Sequence, residues 1–268
     1  MKAPALSGAA GIVALALLAL AALPLLWGAA VRLLALLRSP YPHDGLEGTL
    51  LHEARLLWAG EPLYQPLERG RFVSAPYPPL HALLLGFADQ FAGPHVFWSG
   101  RLLSLAAALG VAALIVLIVR RAGGTWLGGL LGTSLFLSAP PVLLWSTRVK
   151  PDLTALLWTA LGLCLATYLD DLRLTIYDLR LDSKPNRQSK IVNRKWGSGW
   201  WSLVALCFVL AFFTKQTEVM APLGTGLALL IGDLRAFYRA GERAGFIGRL
   251  PMRWRTLLYG LSYFALAL

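Results

Sequence analysis

Apolar residues of this chain gather into long runs separated by short polar turns, the pattern of helices that cross a bilayer. The first run, Gly11 to Leu37, is broken only by Arg32. At ~1.5 Å per residue it covers a hydrocarbon core of ~30 Å. A signal peptide has an apolar stretch of only about 7–15 residues and a small-residue cleavage site. This run is longer and meets Arg38-Ser-Pro-Tyr, so it is expected to be a retained first helix. Further spans are predicted at about Phe97–Val119, Thr125–Trp145, Leu153–Leu169, Trp200–Thr214, Gln216–Ile231 and Thr256–Leu268. The expected fold is therefore all-α: a polytopic transmembrane helix bundle of about seven spans, forming a single module over residues 1–268. The last span holds 13 residues. A crossing takes roughly 17–25, so the module is expected to be incomplete at its C-terminus or continued by another polypeptide.

The stretch 39–96 breaks this rhythm. Leu46, Leu50, Leu51, Ala54, Leu57 and Trp58 recur at helical spacing, while Glu47, His52, Glu53 and Arg55 fall largely on other faces. This predicts an amphipathic helix over about 46–59, closed by Gly60. A second apolar stretch, Leu80 to Phe91, follows Pro78-Pro79 and is too short to span. Both helices suit the membrane interface, where they would wall a cavity at the bilayer edge.

Composition agrees: the chain has 268 residues, of which 57% are hydrophobic, and its mean hydropathy is +0.60. Soluble domains hold roughly 45–50% apolar residues. The net charge of +11 reports orientation in such a chain and does not call for nucleic acid. Segment 170–199 carries seven Lys/Arg against four acids, segment 233–255 six against two, and Arg120-Arg121 marks the turn after the second span. The loop 39–96 instead holds six acids and three bases. The positive-inside rule then puts the N-terminus and the basic loop 170–199 in the cytoplasm and the 39–96 loop outside a cell membrane crossed several times. Cys164 and Cys207 lie in apolar runs and read as packing residues, without the spacing of a zinc site.

The chemistry-bearing residues collect at the outer ends of the spans. Asp44 begins the amphipathic helix and Glu47 follows three residues on, close to a capping box. Capping and catalysis are compatible for Asp44, because a cap holds a carboxylate rigid and ionised. The turn Ser146-Thr-Arg148-Val-Lys150-Pro-Asp152 crowds three charges, readable as a cap by Asp152 with snorkelling bases. Lys215 and Arg101 stand at outer ends of other spans. Ionisable residues near a membrane interior are functional candidates, and seven map to one face: Asp44, Glu47, Arg101, Arg148, Lys150, Asp152 and Lys215. His43 and His52 with Asp44 and Glu47 would be the ligand set for a divalent cation, but no spacing fixes such a site, and solvated histidines are the stronger reading. Carboxylates and cations beside lipid suit transfer of a sugar from a polyprenyl phosphate: Lys215, Arg148 or Lys150 offsets charge on the leaving phosphate, and a carboxylate takes the acceptor's proton.

Asp44…Glu47, Gly60-Glu-Pro-Leu-Tyr64, Tyr77-Pro-Pro-Leu80, Gly100-Arg101, Lys150-Pro-Asp152 and Lys215-Gln216-Thr217, in this order, resemble membrane glycosyltransferases of the C superfamily. The nearest likeness is to bacterial family-39-like enzymes, relatives of protein O-mannosyltransferases and lipid A aminoarabinose transferases. It covers about residues 35–225 and implies an inverting transferase dependent on a polyprenyl-phosphate-sugar lipid, with a glycan, lipid or protein acceptor. The resemblance implies that Asp44 is the first catalytic acid and Asp152 the second, with Glu47 a further catalytic candidate for the role of the Glu that mannosyltransferases carry after the first Asp. Lys215, Arg148, Lys150, Arg101 and Tyr77 are then expected to bind lipid phosphate or substrate. The chain departs from the mannosyltransferase pattern at Gly45, where those enzymes carry a Glu. The alternatives are a transporter or lipid flippase, which places ionisable residues near the bilayer midplane, and an inactive membrane scaffold.

Overall fold

A computed structural model describes residues 8–65, 74–91, 95–169, 200–241 and 254–267. The basic loop 170–199 and part of the 233–255 segment, both used for orientation, lie outside the described residues. The described chain is helical throughout, with no strand among the described residues. Its elements are α1 (Gly8–Arg38), α2 (Gly45–Trp58), α3 (Pro79–Asp89), α4 (Trp98–Arg121), α5 (Trp126–Ser138), α6 (Pro140–Trp145), α7 (Asp152–Leu169), α8 (Trp200–Thr214), α9 (Met220–Gly241) and α10 (Trp254–Ala267).

The expected span over 125–145 is two helices, because Ala139 leaves the helical region (φ −62°, ψ 129°) just before Pro140-Pro141. A residue before proline is pushed out of the α region by the ring, and proline is well placed at the first position of the next helix. The expected span 216–231 likewise shifts: residues 215–219 form a turn, and α9 runs from Met220 to Gly241. Among the described residues one helix, α4, is long and apolar enough to cross a membrane, and stretches of α5, α7, α8 and α9 are shorter apolar helices. A core helix of a soluble protein is mostly buried. In α4 only 28% of the most apolar stretch is, and Trp27, Leu135 and Met220 on other helices are also turned outward.

Helix α7 sits between α4 and α8, with α5 against α4 and α10 against α8. At one end of this bundle α2 and α3 pack on each other and on the start of α4. Helix α2 closes on a Schellman motif: Gly60 (φ +85°) donates to the Leu57 carbonyl and Glu61 to that of Leu56. The Trp58 indole donates to the Leu83 carbonyl at 3.0 Å. Asp89 receives Arg55 from α2 at 2.7 Å and Ser99 from α4 at 3.2 Å. Beneath these polar ties, Leu50, Leu51, Ala54, Leu63, Ala82, Leu85, Phe97 and Val149 form one apolar core. Cys164 and Cys207 are buried, with free thiols.

Gly100 lets the α2–α3 layer close onto the bundle. A Cβ there would stand 2.7 Å from Val149 Cγ1 and 2.8 Å from Leu85 Cδ1. Gly100→Val is expected to cost about 1–3 kcal/mol through overpacking, read as a lower midpoint of thermal unfolding in detergent; an unchanged midpoint would show that this contact is slack.

Candidate functional site

The first turn of α2 organises the polar end of the bundle. Asp44 is its N-cap: Oδ1 accepts from the Leu46 N–H at 2.9 Å and from the Glu47 N–H at 3.2 Å. Its other oxygen faces the turn between α6 and α7, 3.0 Å from Lys150 Nζ and 3.3 Å from Arg148 Nη1. Capping and ion pairing are thus divided between the two oxygens of one carboxylate. Burial pushes the Asp44 pKa up, but the Lys150 hydrogen bond, the Leu46 N–H and the charges of Lys150 and Arg148 outweigh it, so the group titrates below its ordinary value.

Glu47 does not close an ordinary capping box. Its Oε2 accepts from the His43 N–H at 2.5 Å, one residue before the cap, and its Oε1 from the Val149 N–H at 2.8 Å. The same carboxylate meets Arg101 at 2.9 and 3.2 Å, and both side chains are 0% exposed. Arg101 also donates to the carbonyls of Leu36 (2.9 Å), Ser39 (2.7 Å) and Tyr41 (2.7 Å), and stacks over Phe97. All five guanidinium N–H groups are therefore engaged. Arg101 has no donor left for a lipid phosphate, and Glu47 is held as the acceptor of four separate donor atoms.

Asp152 and Lys215 form a second ion pair between the first turn of α7 and the end of α8. Asp152 opens α7 and makes this longer-range contact across to Lys215. Lys215 Nζ also stands 5.9 Å from the centroid of the Trp145 ring, within reach of a cation–π attraction. The turn 146–151 links the two acid–cation clusters, because it carries Arg148 and Lys150 and ends next to Asp152. Three cations stand against two carboxylates across the two clusters, leaving one positive charge in excess.

The segment Ala75-Pro76-Tyr77 is pinned residue by residue. Glu53 Oε1 accepts from the Ala75 N–H at 2.7 Å, Gln216 donates to the Pro76 carbonyl at 3.2 Å, and Tyr64 donates to the Tyr77 carbonyl at 3.1 Å. Ala75 takes a left-handed φ of +34° within this clamp. Tyr77 thus enters through its backbone and through packing against the Leu50–Val149 core. Burial raises the Glu53 pKa against the opposing Ala75 hydrogen bond. For the cation ligand set, His43 Nε2 lies 2.9 Å from the Leu36 carbonyl and His52 is exposed. Among the described residues no three or more His, Cys, Asp or Glu side chains gather as they would around a metal ion.

Sequence reasoning missed His81. It is 2% exposed on α3, burial pulls its pKa to about 4 against the opposing charge of Asp152, and neither ring nitrogen has a hydrogen-bond partner. An unmet buried polar group costs about 1–3 kcal/mol. The available signal was its isolation, since it is the one ionisable residue between Pro79 and Ala88 in an otherwise apolar helix. Comparison of the chain with protein-family models, with curated proteins and with solved structures finds no match.

Two outcomes follow from this geometry. Arg101→Met leaves the Glu47 charge buried without its cation and is expected to cost about 3–5 kcal/mol, seen as a large fall in unfolding midpoint; a midpoint within a degree of wild type would contradict the pairing. Asp44 has a folded pKa below its unfolded one, so its contribution to stability is full above about pH 4 and is lost as the pH falls through the folded value. Asp44→Asn should flatten the acid limb of a stability–pH profile below about pH 4. An unchanged acid limb would assign that limb to other carboxylates.

Proposed function

We propose that this chain is a polytopic membrane glycosyltransferase of the C-superfamily type, which moves a sugar from a polyprenyl-phosphate-linked donor to an acceptor at the outer face of the cell membrane. About seven crossings with a cytoplasmic N-terminus place the α2–α3 layer outside, at the interface. The observation that carries this reading is the pairing of Asp44 with Arg148 and Lys150 of one turn, and of Asp152, the residue that follows that turn, with Lys215.

Each group then has a task. The excess positive charge suits a single lipid phosphate, and Lys215, Lys150 and Arg148 oppose the charge that grows on it as the sugar departs. An incoming phosphate competes with the carboxylates for these cations. A carboxylate released from its cation becomes more basic, and Asp44 or Asp152 then takes the proton of the attacking acceptor hydroxyl or amine. Glu47 and Arg101 act beneath the site as its fixed support, and Tyr77 through the clamped segment beside Gln216. Placement of these charges at helix ends, away from the middle of α4, favours transferase over transporter.

The test supplies a polyprenyl-phosphate sugar to membranes holding the chain and follows its consumption. Asp44→Asn and Asp152→Asn are each expected to slow transfer, by roughly 10²–10⁴-fold for the variant that removes the general base. If both variants match wild type, the site assignment is wrong. If wild type consumes no lipid-linked sugar, the transferase reading fails.

A further inference from the structure

Helices α7 and α8 pack closely where a Cβ on Gly162 would stand 2.8 Å from Phe208 Cε1 and 3.2 Å from Cys207 Cβ, and they run antiparallel, since the start of α7 meets the residue that follows α8. From this contact α7 extends ten residues back to Asp152, whereas α8 extends only six residues on to Thr214. The turn after α8 is therefore set back from the start of α7 by about four residues, or ~6 Å. Lys215 crosses that step with its side chain to reach Asp152.

Glu218 leaves the same turn in the other direction. Its backbone N–H donates to the Lys215 carbonyl at 3.1 Å, and its Oε2 accepts from the Thr159 hydroxyl at 3.2 Å. Asp152 and Thr159 are seven residues apart, close to two full turns, so they share one face of α7. Helix α7 thus grips the turn twice, through Lys215 and through Glu218. The choice made by Thr159 is particular to it: Thr167 and Thr214 fold their hydroxyls back onto carbonyls of their own helices, those of Cys164 and Leu210, whereas Thr159 donates across to another segment.

The two ties respond differently to a bound anion. A phosphate competes with Asp152 for Lys215, but it leaves the bond between Glu218 and Thr159 in place. Lys215 closes the last turn of α8, its N–H on the Ala211 carbonyl at 2.9 Å, and helix ends fray. Its four-carbon stem is flexible, so its aim depends on how firmly this turn is held. Resting on the transferase reading above, we infer that Glu218 is a positioning residue, whose bond to Thr159 keeps Lys215 aimed at the start of α7 once the phosphate of the lipid donor has displaced Asp152.

Equilibrium binding of polyprenyl phosphate to the full chain in nanodiscs, at a temperature where every variant is folded, reads this positioning. Glu218→Ala and Thr159→Val are each expected to weaken binding about 10-fold, the scale of one charge-assisted hydrogen bond. Glu218→Gln keeps an acceptor for Thr159 and is expected to stay within about 2-fold of wild type. In a Lys215→Met background, Glu218→Ala should weaken binding no further, because the anchor acts through that lysine. Wild-type affinity in Glu218→Ala, a loss in Glu218→Gln as large as in Glu218→Ala, or an undiminished effect in the Lys215→Met background overturns the inference; consumption of polyprenyl-phosphate sugar by wild type then leaves the transferase reading standing. If wild type neither binds polyprenyl phosphate nor consumes the sugar-bearing lipid, both fail.

Discussion

The ion pair between Glu47 and Arg101, sealed from water, is the constraint on which the polar end of this protein depends. Removing two charges from water costs several kcal/mol for each ion, and attraction alone rarely repays it. Here the remaining capacity of both groups is used: Arg101 spends its five N–H groups on Glu47 and three carbonyls of residues 36–41, and Glu47 also receives the His43 and Val149 N–H groups. One pair therefore joins the end of α1, the link to α2, the first turns of α2 and α4, and the turn before α7. Its most consequential contact is the one to Val149. With that backbone N–H fixed, the residues on either side, Arg148 and Lys150, are both held to Asp44. The first turn of α2 thus grips three successive residues, the middle one by its backbone and the outer two by their charges.

Much of the architecture was readable along the chain because it rests on local physics. The apolar spacing of Leu46 to Trp58, the cap at Asp44 and the stop at Gly60 together specify α2 to within a residue or two. Pro78-Pro79 marks the start of α3, whereas Pro140-Pro141 breaks into α5 and α6 a stretch expected as one continuous span. Grouping charges by their place at the span ends brought Asp44, Arg148 and Lys150 into one set, and Asp152 and Lys215 into the same set. Partner choice was not legible. Arg101 and Lys215 are equally cations at the ends of apolar helices, yet one is sealed against a carboxylate 54 residues away and the other is partly open. Only the packing of α2 and α3 on α4 distinguishes them. His81 was hidden for the same reason: an isolated histidine in an apolar helix is visible in the sequence, whereas its lack of partners is a property of the assembled core.

This division separates support from chemistry. Glu47 and Arg101, buried and fully bonded, set positions and have no capacity to spare, and the partly exposed clamp fixes the backbone of residues 75–77. Asp44, Arg148, Lys150, Asp152 and Lys215 retain partial exposure and bonds that an anion of matching size would exchange. The internal carboxylates occupy these cations, and in the proposed reading a lipid phosphate would replace them at this corner.

A photo-crosslinking experiment with a diazirine-bearing polyprenyl phosphate addresses the central claim, that this corner is where a lipid phosphate binds. With the reactive group placed next to the phosphate, adducts are expected within residues 145–152 and 214–218, and excess unlabelled polyprenyl-phosphate sugar should suppress them. Adducts spread over the outward faces of α4 and α5 and insensitive to that competitor would contradict the account.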